Sequence, residues 1–223
     1  NLKINLMKKV MSNTGVSKIF VKICGITNRD DAFLAVGLGC DALGFNFVAT
    51  SKRKVEIEFV KNVVKELPNG VMSVGIFSDL TPLEILRIVE ATGLNAAQMH
   101  GNETFQDCQL VAKNVPFTIK ALTADSPNLV NFEDFGVDFL LLDSDTPGEG
   151  KKFNWNLSTD MVKNERLLLA GGLDVENLLD GIERFSPFGV DVATGVEFEP
   201  GRKDPELLKI FIETAKSIRT KTE

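Results

Sequence analysis

From Lys18 onward the chain alternates short apolar runs with amphipathic ones, and the alternation repeats eight times. The apolar runs have the length of strands and stop at turn residues, whereas the amphipathic runs have the length and period of helices. Strands that take turns with helices build a parallel sheet with crossover helices. Eight such units within 223 residues suit a closed barrel, which runs to roughly 250 residues, better than an open sheet. The expected fold is therefore α/β, a single (β/α)8 TIM barrel spanning residues 19–223.

Phe20–Asn28 reads as the first strand, a tight turn at Cys24-Gly25 and a helix start, with Arg29–Leu38 as the helix. Asp41–Phe47 with Glu56–Glu66, Val71–Phe77 with Thr81–Thr92, and Asn95–Met99 with Glu103–Lys113 follow. Thr81-Pro82-Leu83-Glu84 carries an explicit start signal: a capping Thr, Pro at the first helical position and Glu three residues after the cap. Phe117–Leu122 and Ser126–Phe135 form the least regular pair. Val137–Leu142 is almost wholly apolar, as a strand covered on both faces is. Leu167–Ala170 with Asp174–Phe185, then Phe188–Val192 with a helix from Asp204, complete the set.

Residues 1–18 stand outside the pattern. They hold Lys3, Lys8, Lys9 and Lys18 without an acid or an arginine, and show no secretory pattern. They are read as a flexible extension, with the tail of an organelle-targeting peptide as the alternative. A net charge of -6 from 25 basic and 31 acidic side chains works against general attraction to nucleic acid or anionic membranes. No run approaches the roughly 20 apolar residues of a membrane span. The expected partner is a small molecule, taken by a monomer or a homodimer. Cys24, Cys40 and Cys108 are odd in number and widely spaced, which suggests no disulfide framework and a reducing, cytoplasmic setting. The lone histidine, His100, excludes a histidine-rich metal site.

Barrels carry their catalytic groups at the carboxyl ends of the strands. Cys24, Arg53, Gln98, His100, Asp143, the Gly171-Gly172 pair, Asp191 and Thr194-Gly195 fall at such ends. Alternation along a strand puts Lys22 and Cys24 on one face, so the ammonium is expected to favour the thiolate and draw its pKa below about 8.5. The competing reading of a free cysteine is inert packing, and Cys40 and Cys108 are read that way. Asp143 closes an apolar strand, where desolvation raises a carboxyl and suits it to act as an acid, or where it merely caps a loop. The glycine turns after the seventh and eighth strands occupy the place where barrels bind phosphate through backbone N–H groups and a helix amino end.

Lys22-Ile23-Cys24-Gly25-Ile26-Thr27, Asp41-Ala42-Leu43-Gly44-Phe45, Ser51-Lys52-Arg53, Gln98-Met99-His100-Gly101, Leu142-Asp143-Ser144, Gly150-Lys151 with Phe153-Asn154-Trp155, Ala170-Gly171-Gly172-Leu173 and Asp191-Val192-Ala193-Thr194-Gly195-Val196-Glu197 together resemble the phosphoribosylanthranilate isomerase family. The resemblance runs in order from about Lys18 to the end. It implies an Amadori rearrangement in tryptophan biosynthesis without metal or cofactor. Cys24 then matches the general base, Asp143 the general acid, Arg53 the group that meets the anthranilate carboxylate, and Asp191 an inward residue near the sugar hydroxyls. Gln98 and His100 join the substrate-binding set, and Gly171, Gly172, Thr194 and Gly195 the phosphate site.

Three stretches depart from the family's commoner pattern. Val48-Ala49-Thr50-Ser51 stands where Tyr-Pro-Lys-Ser is usual, which is expected to loosen the loop carrying Arg53. Pro147-Gly148-Glu149-Gly150 places an acid near an anionic substrate, and Ala193-Thr194 replaces a Ser-Ser pair. Two rivals remain: the related histidine-pathway isomerase, which resembles this chain in fold but uses two Asp residues, and a non-catalytic phosphosugar-binding barrel.

Overall fold

The computed structural model of the protein describes residues 16–144 and 166–221. Eight parallel strands close into a barrel: β1 (Phe20–Ile23), β2 (Ala42–Asn46), β3 (Met72–Phe77), β4 (Ala96–Met99), β5 (Phe117–Thr123), β6 (Phe139–Asp143), β7 (Leu167–Leu169) and β8 (Gly189–Val192). The seam is made by β1 on β8, where Phe20 pairs with Gly189 and Ile23 with Val192. All strands run the same way, so every carboxyl end opens on one rim.

Alternation along the strands sorts the side chains into two shells. Phe20, Met72, Val74, Phe117, Ile119, Phe139, Leu141 and Leu168 fill the barrel interior. Ile19, Val21, Ile23, Leu43, Phe45, Phe77, Leu140 and Leu142 point outward and pack beneath the helices. The interior is thus solid below, as barrels require, and its polar inward positions lie toward the carboxyl rim.

The helices are α1 (Arg29–Gly37), α2 (Ile57–Glu66), α3 (Pro82–Thr92), α4 (Phe105–Asn114), α5 (Leu178–Phe185) and α6 (Pro205–Ser217). The start signal at Thr81 works as expected: its side chain accepts from Glu84 N, and the Glu84 carboxylate accepts from Thr81 N. Thr104 and Asp107 form a second capping box on α4, and Asp204 caps α6.

The structure differs from the sequence expectation in three places. Pro127–Phe135 is a run of 3-10 turns with a non-helical Asn131, and Ser126 Oγ accepts from Asn128 N at its start. Helix α5 begins four residues late because Asp174 Oδ1 accepts from the N–H groups of Glu176 and Asn177, both at 2.9 Å, and caps a separate turn. Between β8 and α6 an antiparallel hairpin pairs Glu197–Glu199 with Arg202–Lys203. Neither glycine turn therefore leads straight into a helix, although the α5 cap Asn177 donates to the Gly172 carbonyl at 2.9 Å. Val16–Lys18 pairs with Arg219–Lys221. The Pro147–Lys151 and Phe153-Asn154-Trp155 positions lie outside the described residues.

Candidate active site

On β1 the inward positions are Phe20, Lys22 and, just past the strand, Cys24. Lys22 is fully buried, and its Nζ donates to Asp191 Oδ1 across the seam at 2.9 Å. Two opposite charges this deep need each other, since either one alone carries a large desolvation cost. Burial pushes the Asp191 carboxyl above its ordinary range, and Lys22 works against that shift.

Cys24 is half-buried beside this pair. The expectation of a lowered thiol pKa is overturned: burial pushes the thiol up, Asp191 adds to the rise, and Lys22 and Lys203 pull against it. The physical reason is first the desolvation of the thiolate, which outweighs the pull of a Lys22 charge that Asp191 also shares.

Asp143 ends β6 with Ser144 and His100 beside its carboxylate. The Ser144 N–H donates to Oδ1 at 2.7 Å, and His100 Nε2 stands 3.3 Å from Oδ2. His100 and Gln98 share the inward face of β4, and Gln98 Nε2 lies 3.1 Å from His100 Nδ1.

Arg53 is buried, not a solvated member of the Lys52–Lys54 charge run. Its Nε reaches both carboxylate oxygens of Glu197, at 2.9 and 3.1 Å, and Nη2 donates to Glu197 Oε2 at 2.6 Å and to Thr194 Oγ1 at 3.1 Å. The loop expected to be loose is closed locally, since Asn46 Oδ1 accepts from Val48 N at 2.8 Å and Ser51 Oγ from Arg53 N at 3.1 Å. Lys203 donates to Glu197 Oε1 at 2.8 Å, to the Cys24 carbonyl at 2.6 Å and to the Ala193 carbonyl at 3.1 Å. It bolts the ends of β1 and β8 together directly under the thiol. Arg53 and Lys203 share one carboxylate.

Gly195 lies so close to the turn after β7 that a Cβ there would stand 2.0 Å from the Leu173 carbonyl oxygen. Only glycine lets the two turns meet, and Asp174 and Gly195 form a bridge between them.

A cavity of about 710 Å³ opens at this rim, within the usual range for a small-molecule site. It is lined by Cys24, Arg53, Gln98, His100, Asp143, Asp191, Gly171, Gly172, Thr194 and Gly195, all ten of the residues expected from the sequence. Sequence reasoning gave no role to Glu197, although it lay within a quoted motif, nor to Lys203. Lys203 offers no sequence signal, because Arg202-Lys203-Asp204 looks like any solvated charge run. Among the described residues no group of His, Cys, Asp and Glu side chains is arranged to hold a metal ion.

Residues 21–214 match the model of a family described as N-(5'phosphoribosyl)anthranilate (PRA) isomerase. The chain belongs to that family. Among its relatives, the N-(5'-phosphoribosyl)anthranilate isomerase of Pelobacter propionicus is 39% identical over 209 residues, covering 92% of this chain and 99% of the relative. The Thermotoga maritima enzyme is 40% identical over 206 residues, covering 89% and 98%. The crystal structure of phosphoribosyl anthranilate isomerase from Thermus thermophilus superposes with a TM-score of 0.84 at 35% identity, covering 89% of this chain and 99% of that one. In this member of the family, Cys24 stands just past β1, Asp143 at the end of β6 and Arg53 in the loop after β2, around one opening.

Proposed function

We propose that the cavity converts N-(5-phosphoribosyl)anthranilate to 1-(2-carboxyphenylamino)-1-deoxyribulose 5-phosphate by general acid-base catalysis. The carrying observation is that one cavity brings together a thiol, a carboxyl, a buried guanidinium and two abutting glycine turns. A family member has been solved in complex with reduced 1-(o-carboxyphenylamino)-1-deoxyribulose 5-phosphate; it is 37% identical, with a TM-score of 0.79.

The substrate is anionic at both ends and needs a proton moved at its middle. Arg53, fixed by Glu197, meets the anthranilate carboxylate as a planar fork. Backbone N–H groups around Gly171-Gly172 and Thr194-Gly195 take the phosphate, and Asp191, Gln98 and His100 line the wall that faces the sugar. Asp143 gives its proton to the furanose ring oxygen, the C1–O bond breaks, and C1 becomes an iminium carbon. Cys24 removes the proton from C2, which leaves an enamine that tautomerises to the C2 ketone. C1 is reduced as C2 is oxidised, so no outside oxidant or reductant enters.

The raised thiol pKa fits this order of events. A resting thiol avoids a bare anion beside Asp191; its proton passes to solvent at the open rim before it acts, and the positive iminium formed on ring opening favours the resulting thiolate. The protein works on this small phosphosugar as a monomer or a homodimer, in a reducing compartment such as the cytoplasm. One related structure is titled as monomers generated from the dimeric Thermotoga maritima enzyme. No helix among the described residues is long and apolar enough to cross a membrane.

The direct test is turnover of freshly prepared phosphoribosylanthranilate, read as loss of its fluorescence. Turnover by the wild type is expected. A folded protein that binds a product analogue without turnover would make this a binding barrel instead.

A further inference from the structure

We infer that Gln98 and His100 are positioning residues that act as a pair on Asp143, and that the Gln98 amide keeps the acid's proton from being lost to the imidazole. The inference rests on the reading of Asp143 as the general acid.

The Gln98 side-chain nitrogen can only donate, so at 3.1 Å from His100 Nδ1 it makes that ring nitrogen an acceptor. The neutral imidazole then carries its proton on Nε2, which faces Asp143 Oδ2 at 3.3 Å. A protonated Nε2 holds the carboxyl in place but cannot take a proton from it. The only remaining destination for the Asp143 proton within this triad is the bound ligand.

Reversing the amide would undo this. Oε1 would then face Nδ1 and require a proton there, and the Nε2 lone pair would be free to accept the acid's proton. The burial of Gln98, 1% exposed, argues against reversal, because it would leave amide N–H donors without partners in place of a single acceptor. Oε1 is the one buried side-chain oxygen or nitrogen without a hydrogen-bond partner among the described residues. Since Gln98 lines the cavity, that acceptor suits a hydroxyl or N–H of the ligand. Gln98 thus works at both ends: its nitrogen sets the imidazole, and its oxygen is left for the substrate.

His100 is the only histidine, so nitrogen-15 spectra of the imidazole report on it alone. In its neutral form the wild-type imidazole is expected to show the tautomer protonated on Nε2. Gln98→Glu keeps an acceptor toward the ligand but replaces the donor that faces Nδ1. It is expected to move the imidazole to the Nδ1-protonated or doubly protonated form. With this change kcat falls by about ten- to a hundredfold while KM stays within about threefold. His100→Ala is expected to lose a similar factor and His100→Gln, which still presents a donor to Asp143, to recover part of it. A wild-type imidazole protonated on Nδ1, an unchanged kcat in Gln98→Glu, or equal losses in the two His100 variants would each overturn the inference. Asp143→Asn separates the two layers: full turnover there removes the acid assignment itself, whereas an inactive Asp143→Asn beside a fully active Gln98→Glu removes only the role of the pair.

Discussion

Glu197 grips Arg53 along one edge, taking its Nε on both carboxylate oxygens and its Nη2 on Oε2 at 2.6 Å, while its Oε1 also receives Lys203 at 2.8 Å. The guanidinium is therefore aimed before any ligand arrives. A preset fork spares the ordering cost of a long side chain on binding.

Glu197→Gln tests this. It leaves two cations nearly enclosed with no carboxylate between them, and breaking a buried pair in this way costs about 3–5 kcal/mol. Urea unfolding is expected to show a loss of that order, and steady-state kinetics a KM raised by at least about tenfold, since one lost charge-assisted contact is worth that much. Unchanged stability and KM would mean that Arg53 is held by something else.

Gly25 is tied to the same side chain. It sits at φ +74°, and a Cβ there would stand 2.4 Å from Arg53 Cδ. Gly25→Ala is expected to cost about 1–2 kcal/mol for the left-handed backbone alone and to push Arg53 off its seat. KM should rise more than kcat falls. A variant with wild-type KM would contradict the packing of Arg53 over this turn.

The thiol gives a prediction for pH. The base must be deprotonated to act, and burial holds Cys24 above the ordinary thiol range. The thiolate absorbance of the free enzyme in the ultraviolet, taken as the difference from Cys24→Ala, is therefore expected to climb with pH to beyond about 9, and not to level off near neutrality. Lys22 is one of the groups pulling that pKa down, so Lys22→Met should move the climb to still higher pH. It should also destabilise the fold by about 3–5 kcal/mol, because Asp191 is left unpaired. A profile flat above about pH 7 in the wild type would show that the thiolate forms more easily than this geometry allows.

Much of this architecture was legible in the chain itself. The eightfold alternation carried the barrel, and Thr81-Pro82-Leu83-Glu84 located a helix start because capping is a local affair. The site residues were legible because a parallel barrel sends every strand end to one rim, so position along the sequence becomes position in space. Cys24 shows the limit of that logic. The sequence put Lys22 on its face, but the partner that neutralises Lys22 is Asp191, 169 residues away along the chain, and only closure of the barrel between β1 and β8 brings it there. Lys203 and Glu197 were missed for the same reason: their contacts form across the seam and within a hairpin that no periodic pattern announces. The apolar spacing of Ser126–Phe135 allows a helix, whereas the chain turns as 3-10 and breaks at Asn131.

The central claim is that Cys24 and Asp143 carry the two protons, and the most direct measurement is turnover of phosphoribosylanthranilate by Cys24→Ala and Asp143→Asn beside the wild type. Binding of a reduced product analogue, followed in the same samples, shows whether the cavity is intact. The account predicts a loss of at least about a hundredfold in kcat for each variant, with analogue binding retained. Wild-type turnover in either one would contradict it, because the proton assigned to that residue would then travel by another route.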